Sequence, residues 1–423
     1  MTLNLQSILH EAKEMEQEIV NFRRIFHENP ELGLEEHVTS DKVMEELKQL
    51  NLDEVIKIGT KESVIEELSL LNETIKDTHG PTGVLGVIKG QAGPGPTVLL
   101  RADMDALVVN ESTDEDHIPY SKGFSSKNDR VMHACGHDAH TAMLLGAAKI
   151  LSKFKDKLSG TIKFIFQPDE ERGCGAKIMC KEGIMEDVDA VFGIHVWKTV
   201  DSGKVMIHQG PTMASVDNFW ININGGGGHS SSPHETKDPI LASSEMVNSI
   251  YRMHDRELNS VNASLVTVEQ IESKADWGVI PSSAQLRGTI RTFSESDRNY
   301  IIKRMTDLCN VTSQFHNLEC SFESLNVFPP LNNNREMAIL AQDTVSDLLG
   351  EEKIETGDPI MSGEDFSYYL KESPGAFIFL GNYNEDKGII HPHHNPKFDI
   401  DEDILHKGTA LYISLALKFL NNQ

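Results

Sequence analysis

Five short apolar runs set the main constraint on this chain: residues 97–103 (PTVLLRAD from Pro96), 161–168, 190–197, 218–225 and 375–382. Each is strand-length and rich in β-branched or aromatic residues, and helical patterns alternate with them, which predicts α/β units around a mostly parallel sheet flanked by helices. Four of the five end near chemistry-bearing side chains. Asp103 and Asp105 follow the first, Glu170 and Glu171 the second, His195 lies in the third, and the HPHH segment ending at His394 follows the last. In open α/β sheets the carboxyl ends of strands share one rim, so residues distant in sequence can meet there. The remaining run, NFWINI, enters GGGGHSSSPH and then two helical patterns and a strand-like pair. This predicts a smaller α+β domain inserted at 214–327, leaving a discontinuous larger domain of 1–213 and 328–423.

At 423 residues, 39% of them hydrophobic, the chain can bury more than one core. Its formal net charge of -26 repels nucleic acid and anionic membranes, so neither is expected as a partner. The N-terminus lacks a basic start followed by an apolar stretch, and no run approaches a membrane span, which predicts a cytoplasmic protein. Five cysteines, Cys135, Cys174, Cys180, Cys309 and Cys320, form a sparse, odd set that reads as reduced thiols. One of them can then serve as a ligand.

In MHACGHDAH, Cys135 and His137 flank Gly136 ahead of an apolar helix, with Asp138 expected as a cap. Taken alone, the motif also fits a buried thiol beside a hydrogen-bonded histidine. Adjacent carboxylates at a strand end should point in different directions, so in QPDEE one would bind metal while the other faces the water. A solvated helix start fits that motif too, a core histidine fits His195, and a surface cluster fits HPHH. Their joint occurrence changes the reading. A one-metal catalytic site needs three protein ligands plus water, and five candidates suggest two ions. Mixed thiolate, imidazole and carboxylate donors suit Zn, with Mn, Co or Ni also able to enter.

Taken together, the ordered motifs RRIFHENPELGLEE, RADMDAL, MHACGHDAHTAMLLGAAK, FQPDEE, GIHVW, GGGGHSSSPH, VIPSSAQLRGTIRTF, SGEDFSYY and HHNPKFDID resemble the aminoacylase and carboxypeptidase family of co-catalytic metallohydrolases. The branch is that of hippurate hydrolase and indole-acetyl-amino-acid hydrolases. Within it, the stretch ESVIEELSLLNETIKDTHG and the long spacer before the metal turn look most like the A subunit of p-aminobenzoyl-glutamate hydrolase. The resemblance implies two divalent ions, Zn or Mn foremost, held by Cys135, His137, Glu171, His195 and His394. It makes Glu170 the general base and acid and Asp105 a catalytic aspartate. His229 would reach the site from the inserted lid and dimerisation domain of a partner subunit, and Arg291 would hold the substrate's carboxylate. The expected activity is hydrolysis of N-acyl or N-aroyl amino acids by a homodimer or by a hetero-oligomer with a related subunit. Asp103, a histidine in sister branches, is not assigned.

This chain departs from the family at Gly278, where Asn is usual, at Asp169 and Arg172, where small residues are common, and at Ala139, often glycine. These departures keep open a catalytically impaired, metal-containing binding or regulatory homologue. The sequence has no G-x-S-x-G elbow and no phosphate-binding loop, which argues against a serine hydrolase or a nucleotide enzyme.

Overall fold

The computed structural model describes residues 5–71 and 73–421. The chain divides into two compact units, the larger comprising 1–212, 332–358 and 365–423, and the smaller 213–331 and 359–364. In the larger unit eight strands form one sheet: β1 Glu54–Ile58, β2 Gly83–Lys89, β3 Gly93–Asp103, β4 Ser159–Gln167, β5 Ala190–Asp201, β6 Val205–Met206, β7 Ile354–Glu355 and β8 Gly375–Tyr383. Their spatial order is β1-β2-β4-β3-β5-β8-β6-β7. The central neighbours β4, β3, β5 and β8 run parallel, so their carboxyl ends lie along one rim. Asp103 pairs with Gln167, which aligns the ends of β3 and β4.

Four of the five apolar runs in the sequence are the strands β3, β4, β5 and β8, and their residues are buried on both faces, as a central parallel strand requires. Of the four strands that sequence patterning passed over, β1 and β2 lie at one side of the sheet and pair antiparallel, and the two-residue strands β6 and β7 lie at the other. Helices Glu16–Glu28, His137–Ser152 and Leu405–Asn421 pack with the sheet around one core, which includes Phe22, Leu145, Phe192, Leu411 and Phe419. The C-terminal helix buries nearly its whole surface, including Tyr412, whose hydroxyl donates to the Arg101 carbonyl at 2.7 Å.

The smaller unit is an antiparallel four-stranded sheet, Ser264–Glu272, Ser283–Thr292, Ser215–Asn224 and Glu319–Phe328 in spatial order. Helices Pro239–Glu257 and Glu295–His316 cover one face and share its core with Phe219, Ile221, Ile223, Leu286 and Ile290. Both helices lie where the sequence patterns place them. The strand Glu319–Phe328 has weak alternation and was not expected.

Two expected caps are corrected. The helical pattern TSDKVMEELKQL, which its sequence would cap at Thr39 or Ser40, starts at His37 after Glu36, so both residues sit inside its first turn, where the Thr39 N–H donates to Glu31 Oε2 at 2.8 Å. Asp138 is likewise inside its helix, the cap position belonging to Gly136 at φ 96°. For Asp138, distant partners outcompete the local capping bond. Among the described residues, no helix is long and apolar enough to cross a membrane.

Leu145 is fully buried at the helix–sheet junction of the larger unit. Leu145→Ala should therefore cost about 2–5 kcal/mol of stability. Denaturant unfolding followed by fluorescence or circular dichroism checks this, and an unchanged midpoint would contradict the packing.

Candidate metal centre at the sheet rim

At the carboxyl rim the larger unit brings Cys135, His137, Glu170, Glu171, His195 and His394 together. The donor atoms of Cys135, His137 and His195 lie within 4.8 Å of one another, as do those of Cys135, Glu171 and His394, and those of His137, Glu170 and Glu171. Cys135 Sγ is 3.6 Å from His195 Nε2, and His394 Nε2 is 3.4 Å from Glu171 Oε1. His394 adopts a left-handed backbone, φ 65°, and its N–H donates to the Ala134 carbonyl at 2.8 Å, which ties the C-terminal loop to the Cys135 turn.

The hydrogen bonds fix the tautomers of the histidines. His137 Nδ1 lies 3.0 Å from Asp105 Oδ1, and because an ionised carboxylate only accepts, Nδ1 carries a proton. His195 Nδ1 donates in the same way to the Val196 carbonyl at 2.7 Å. Each ring thus turns Nε2 toward the rim, the arrangement that a metal-ligating imidazole needs. His137 Nε2 and Glu171 Oε1 are buried and have no hydrogen-bond partner among the described residues. Buried polar atoms are rarely left so, and a divalent cation accepted by sulfur, nitrogen and oxygen donors fits these residues.

The electrostatics point the same way. Burial opposes charge on His137, yet Asp103, Asp105 and Glu171 outweigh it and lift its pKa to about 10. Burial, with Glu171, Glu170 and Asp103, pushes the Cys135 thiol well above its ordinary range. The carboxylates around the rim favour positive charge among them.

Several participants were not singled out in the sequence. His140, one helical turn beyond His137, accepts the Val196 N–H at Nε2 (2.9 Å), so its Nδ1 is the donor to Asp103 Oδ1 at 2.6 Å. Asp103 also accepts from Arg101 Nη1 at 2.6 Å, and Arg101 Nη2 reaches Asp365 at 2.9 Å. His393 donates from Nε2 to the same Val196 carbonyl at 3.1 Å. The His-x-x-His spacing in GHDAH was the available signal for His140; nothing local marks Val196. With both of its nitrogens engaged, His140 supports the rim from behind, and Asp103 belongs to that supporting layer.

The reading of QPDEE is corrected. Strand β4 ends at Gln167, so Glu170 and Glu171 occupy a turn where strand alternation does not apply. Glu170 Oε2 and Glu171 Oε1 lie 4.0 and 3.9 Å from the same atom, His137 Nε2.

His229 and Arg291 belong to the smaller unit. His229 is exposed on a two-residue strand paired with Val279, and Nδ1 takes the Ser231 hydroxyl at 2.7 Å. Arg291, on Ser283–Thr292, donates from Nη1 to the Met361 carbonyl at 2.9 Å. Gly278 has φ 81°, a left-handed conformation that asparagine also tolerates, so the exchange suits the backbone.

With this geometry established, sequence comparison identifies its kind. The profile described as Peptidase family M20/M25/M40 matches residues 99–418. The chain belongs to this family. It is accordingly an enzyme that hydrolyses amide bonds. Thermostable carboxypeptidase 2 of Saccharolobus solfataricus is 39% identical over 424 residues, covering 99% of each chain. The IAA-amino acid hydrolase ILR1-like 4 of Arabidopsis thaliana is 36% identical, covering 95% of this chain and 86% of that protein. A Bacillus subtilis structure described as a dinuclear metal binding peptidase from the M20 family superposes with a TM-score of 0.80 at 29% identity, covering 97% of this chain and 99% of that one.

Behind the rim, His27 lies between two carboxylates, Nδ1 at 2.9 Å from Asp138 Oδ2 and Nε2 at 2.9 Å from Glu111 Oε1. Both carboxylates accept, so the ring is an imidazolium; burial opposes the charge, but these bonds raise its pKa to about 9 from 6.5. A folded pKa above the unfolded one stabilises below the unfolded value, so this contribution is complete under pH 6.5 and is lost as pH rises through about 9. It amounts to about 3 kcal/mol. His27→Gln should melt well below the parent at pH 6 and converge on it by pH 10; a constant difference in melting temperature would contradict the imidazolium.

Proposed function

We propose that the protein is a metal-dependent amidohydrolase that releases amino acids from small N-acyl or N-aroyl conjugates. The observation that carries this reading is the donor set gathered at one rim with the carboxylate of Glu170 among it, 4.0 Å from His137 Nε2. Cys135, His137, Glu171, His195 and His394 would hold two divalent ions, Zn or Mn foremost, with Cys135 common to two of the donor groups. When bound, such ions polarise an amide carbonyl and acidify water.

The chain's own residues supply the rest. Asp105 holds His137 in one tautomer through Oδ1 and accepts the Glu171 N–H at Oδ2, 3.1 Å away, so one carboxylate orients two ligands. Glu170 takes the proton of the attacking water on a carboxylate oxygen. It then delivers that proton to the departing amide nitrogen as the C–N bond breaks, leaving an acid and a free amine. Its burial, with only 5% of its surface exposed, keeps bulk water from competing for the proton. Arg291 pairs with the substrate's carboxylate, and His229 supports the developing oxyanion, in keeping with the family resemblance. The names of the two curated relatives, a carboxypeptidase and a hydrolase of IAA-amino acids, support an amino-acid conjugate as substrate. The leaning toward an aroyl-glutamate rests on loop features alone.

A panel of N-acetyl, N-benzoyl and p-aminobenzoyl amino acids, with Zn, Mn or Co supplied, tests the activity; no turnover under any condition would remove it. Glu170→Gln should keep its metal content and lose roughly two to four orders of magnitude in rate. Undiminished turnover in that variant would take the proton-transfer role from Glu170.

A homodimer, or a hetero-oligomer with a related subunit, is part of the same reading. Strand Ser264–Glu272 is an edge of its sheet, with Leu265 and Ile271 exposed, and Ile240 and Leu241 are exposed on the neighbouring helix. Open edges and apolar side chains of this kind favour association. Sedimentation analysis should find a dimer, and a strictly monomeric preparation with full activity would exclude a role for His229 across an interface.

A further inference from the structure

An extended chain sends successive side chains to opposite sides, so two adjacent glutamates reach one point only if the backbone turns before them. Here it turns at Asp169. The residue is fully buried and lies at φ 49°, in the left-handed region, one position before Glu170. Asp and Asn enter that region more readily than other side chains but still need to be held there.

Three hydrogen bonds hold it, and a fourth anchors its partner Arg172. The Asp169 N–H donates to Glu36 Oε1 at 2.9 Å, and its carbonyl accepts the Gly175 N–H at 3.1 Å. Arg172 Nε donates to Asp169 Oδ1 at 2.6 Å, and Arg172 Nη2 to the Gly33 carbonyl at 2.6 Å. The carboxylate also rests against Gly33, where a Cβ would come within 1.8 Å of Oδ1. Two residues on, the Glu171 N–H is fixed by Asp105. The turn is thus pinned at its backbone, at its side chain and by the space that Gly33 leaves.

We propose that Asp169 is a positioning residue, locked by Arg172 and Gly33, whose left-handed turn aims the Glu170 and Glu171 carboxylates at a single point beside His137. This rests on the metal-dependent reading of the rim and assigns a use to the two departures from the family at 169 and 172. The lock acts on ligand geometry before any substrate arrives. Its loss should therefore weaken cation binding by the protein alone, which a turn that merely keeps the fold together would not do.

The test is a calorimetric titration of metal-stripped protein with Zn²⁺, each variant being checked for a parental melting temperature in the absence of metal. Asp169→Gly frees the turn, and Gly33→Ala drives a methyl group into the carboxylate; each should weaken Zn²⁺ at least tenfold. The double variant should bind no worse than Asp169→Gly alone, because the methyl then occupies space the carboxylate has left. Asp169→Asn keeps the size and turn preference while removing the charge that holds Arg172, and should lose at least threefold even if the glycine variant is unstable. Single variants binding within twofold of the parent, or losses that simply multiply in the double variant, would overturn the lock. A parent that binds no Zn²⁺ would instead remove the cation reading itself.

Discussion

The Arg101–Asp103 ion pair at the end of β3 is the interaction on which the rim depends. Both side chains are buried, and a buried charge is tolerable only when its partners are all in place. The guanidinium is satisfied by Asp103, Gln167 and Asp365, which come from β3, the end of β4 and the segment leading toward β8. Asp103 in turn takes His140 from the helix that begins at His137. One pair thus joins two strand ends, a returning loop and a helix. Replacing either member would leave a charge stranded where water cannot reach it, and would loosen the frame of every donor at the rim.

The same pair sets the electrostatics. Asp103 Oδ2 lies 3.9 Å from His137 Nε2, close enough to act on that ring without a hydrogen bond to it. Burial raises the strength of such an interaction because little solvent intervenes. A scaffold residue therefore also makes the rim attractive to positive charge, and stability and cation affinity cannot be tuned independently at this position.

Much of this was legible in the sequence. The strands β3, β4, β5 and β8 announce themselves because a strand buried on both faces must be continuously apolar, and donors at their ends stand out against that background. Of the candidate ligands, Glu171, His195 and His394 stood out for that reason, whereas Cys135 and His137 stood out in a glycine turn ahead of an apolar helix. What escaped were features decided by tertiary partners. Asp138 reads as a cap until Arg23 and His27, from a helix more than a hundred residues away, claim its carboxylate. The paired direction of Glu170 and Glu171 depends on a turn at Asp169, which in turn depends on Gly33 and Glu36. Strand β1 escaped because its outer position leaves most of its residues exposed or half-buried, so no clean pattern is written there.

The supporting layer for His195 shows why such features have no residue signature. The peptide groups of Val196 serve three imidazoles: its N–H bonds His140, and its carbonyl accepts from His195 and His393. Its side chain contributes only burial. A backbone carbonyl cannot be removed by substitution, so the orientation of His195 is written into the path of β5 and not into any one side chain. That path is fixed in turn by parallel neighbours, β3 on one side and β8 on the other. The orientation of His195 at this rim is consequently a property of the sheet: the side chain chooses the chemistry, and strand register decides where its lone pair points.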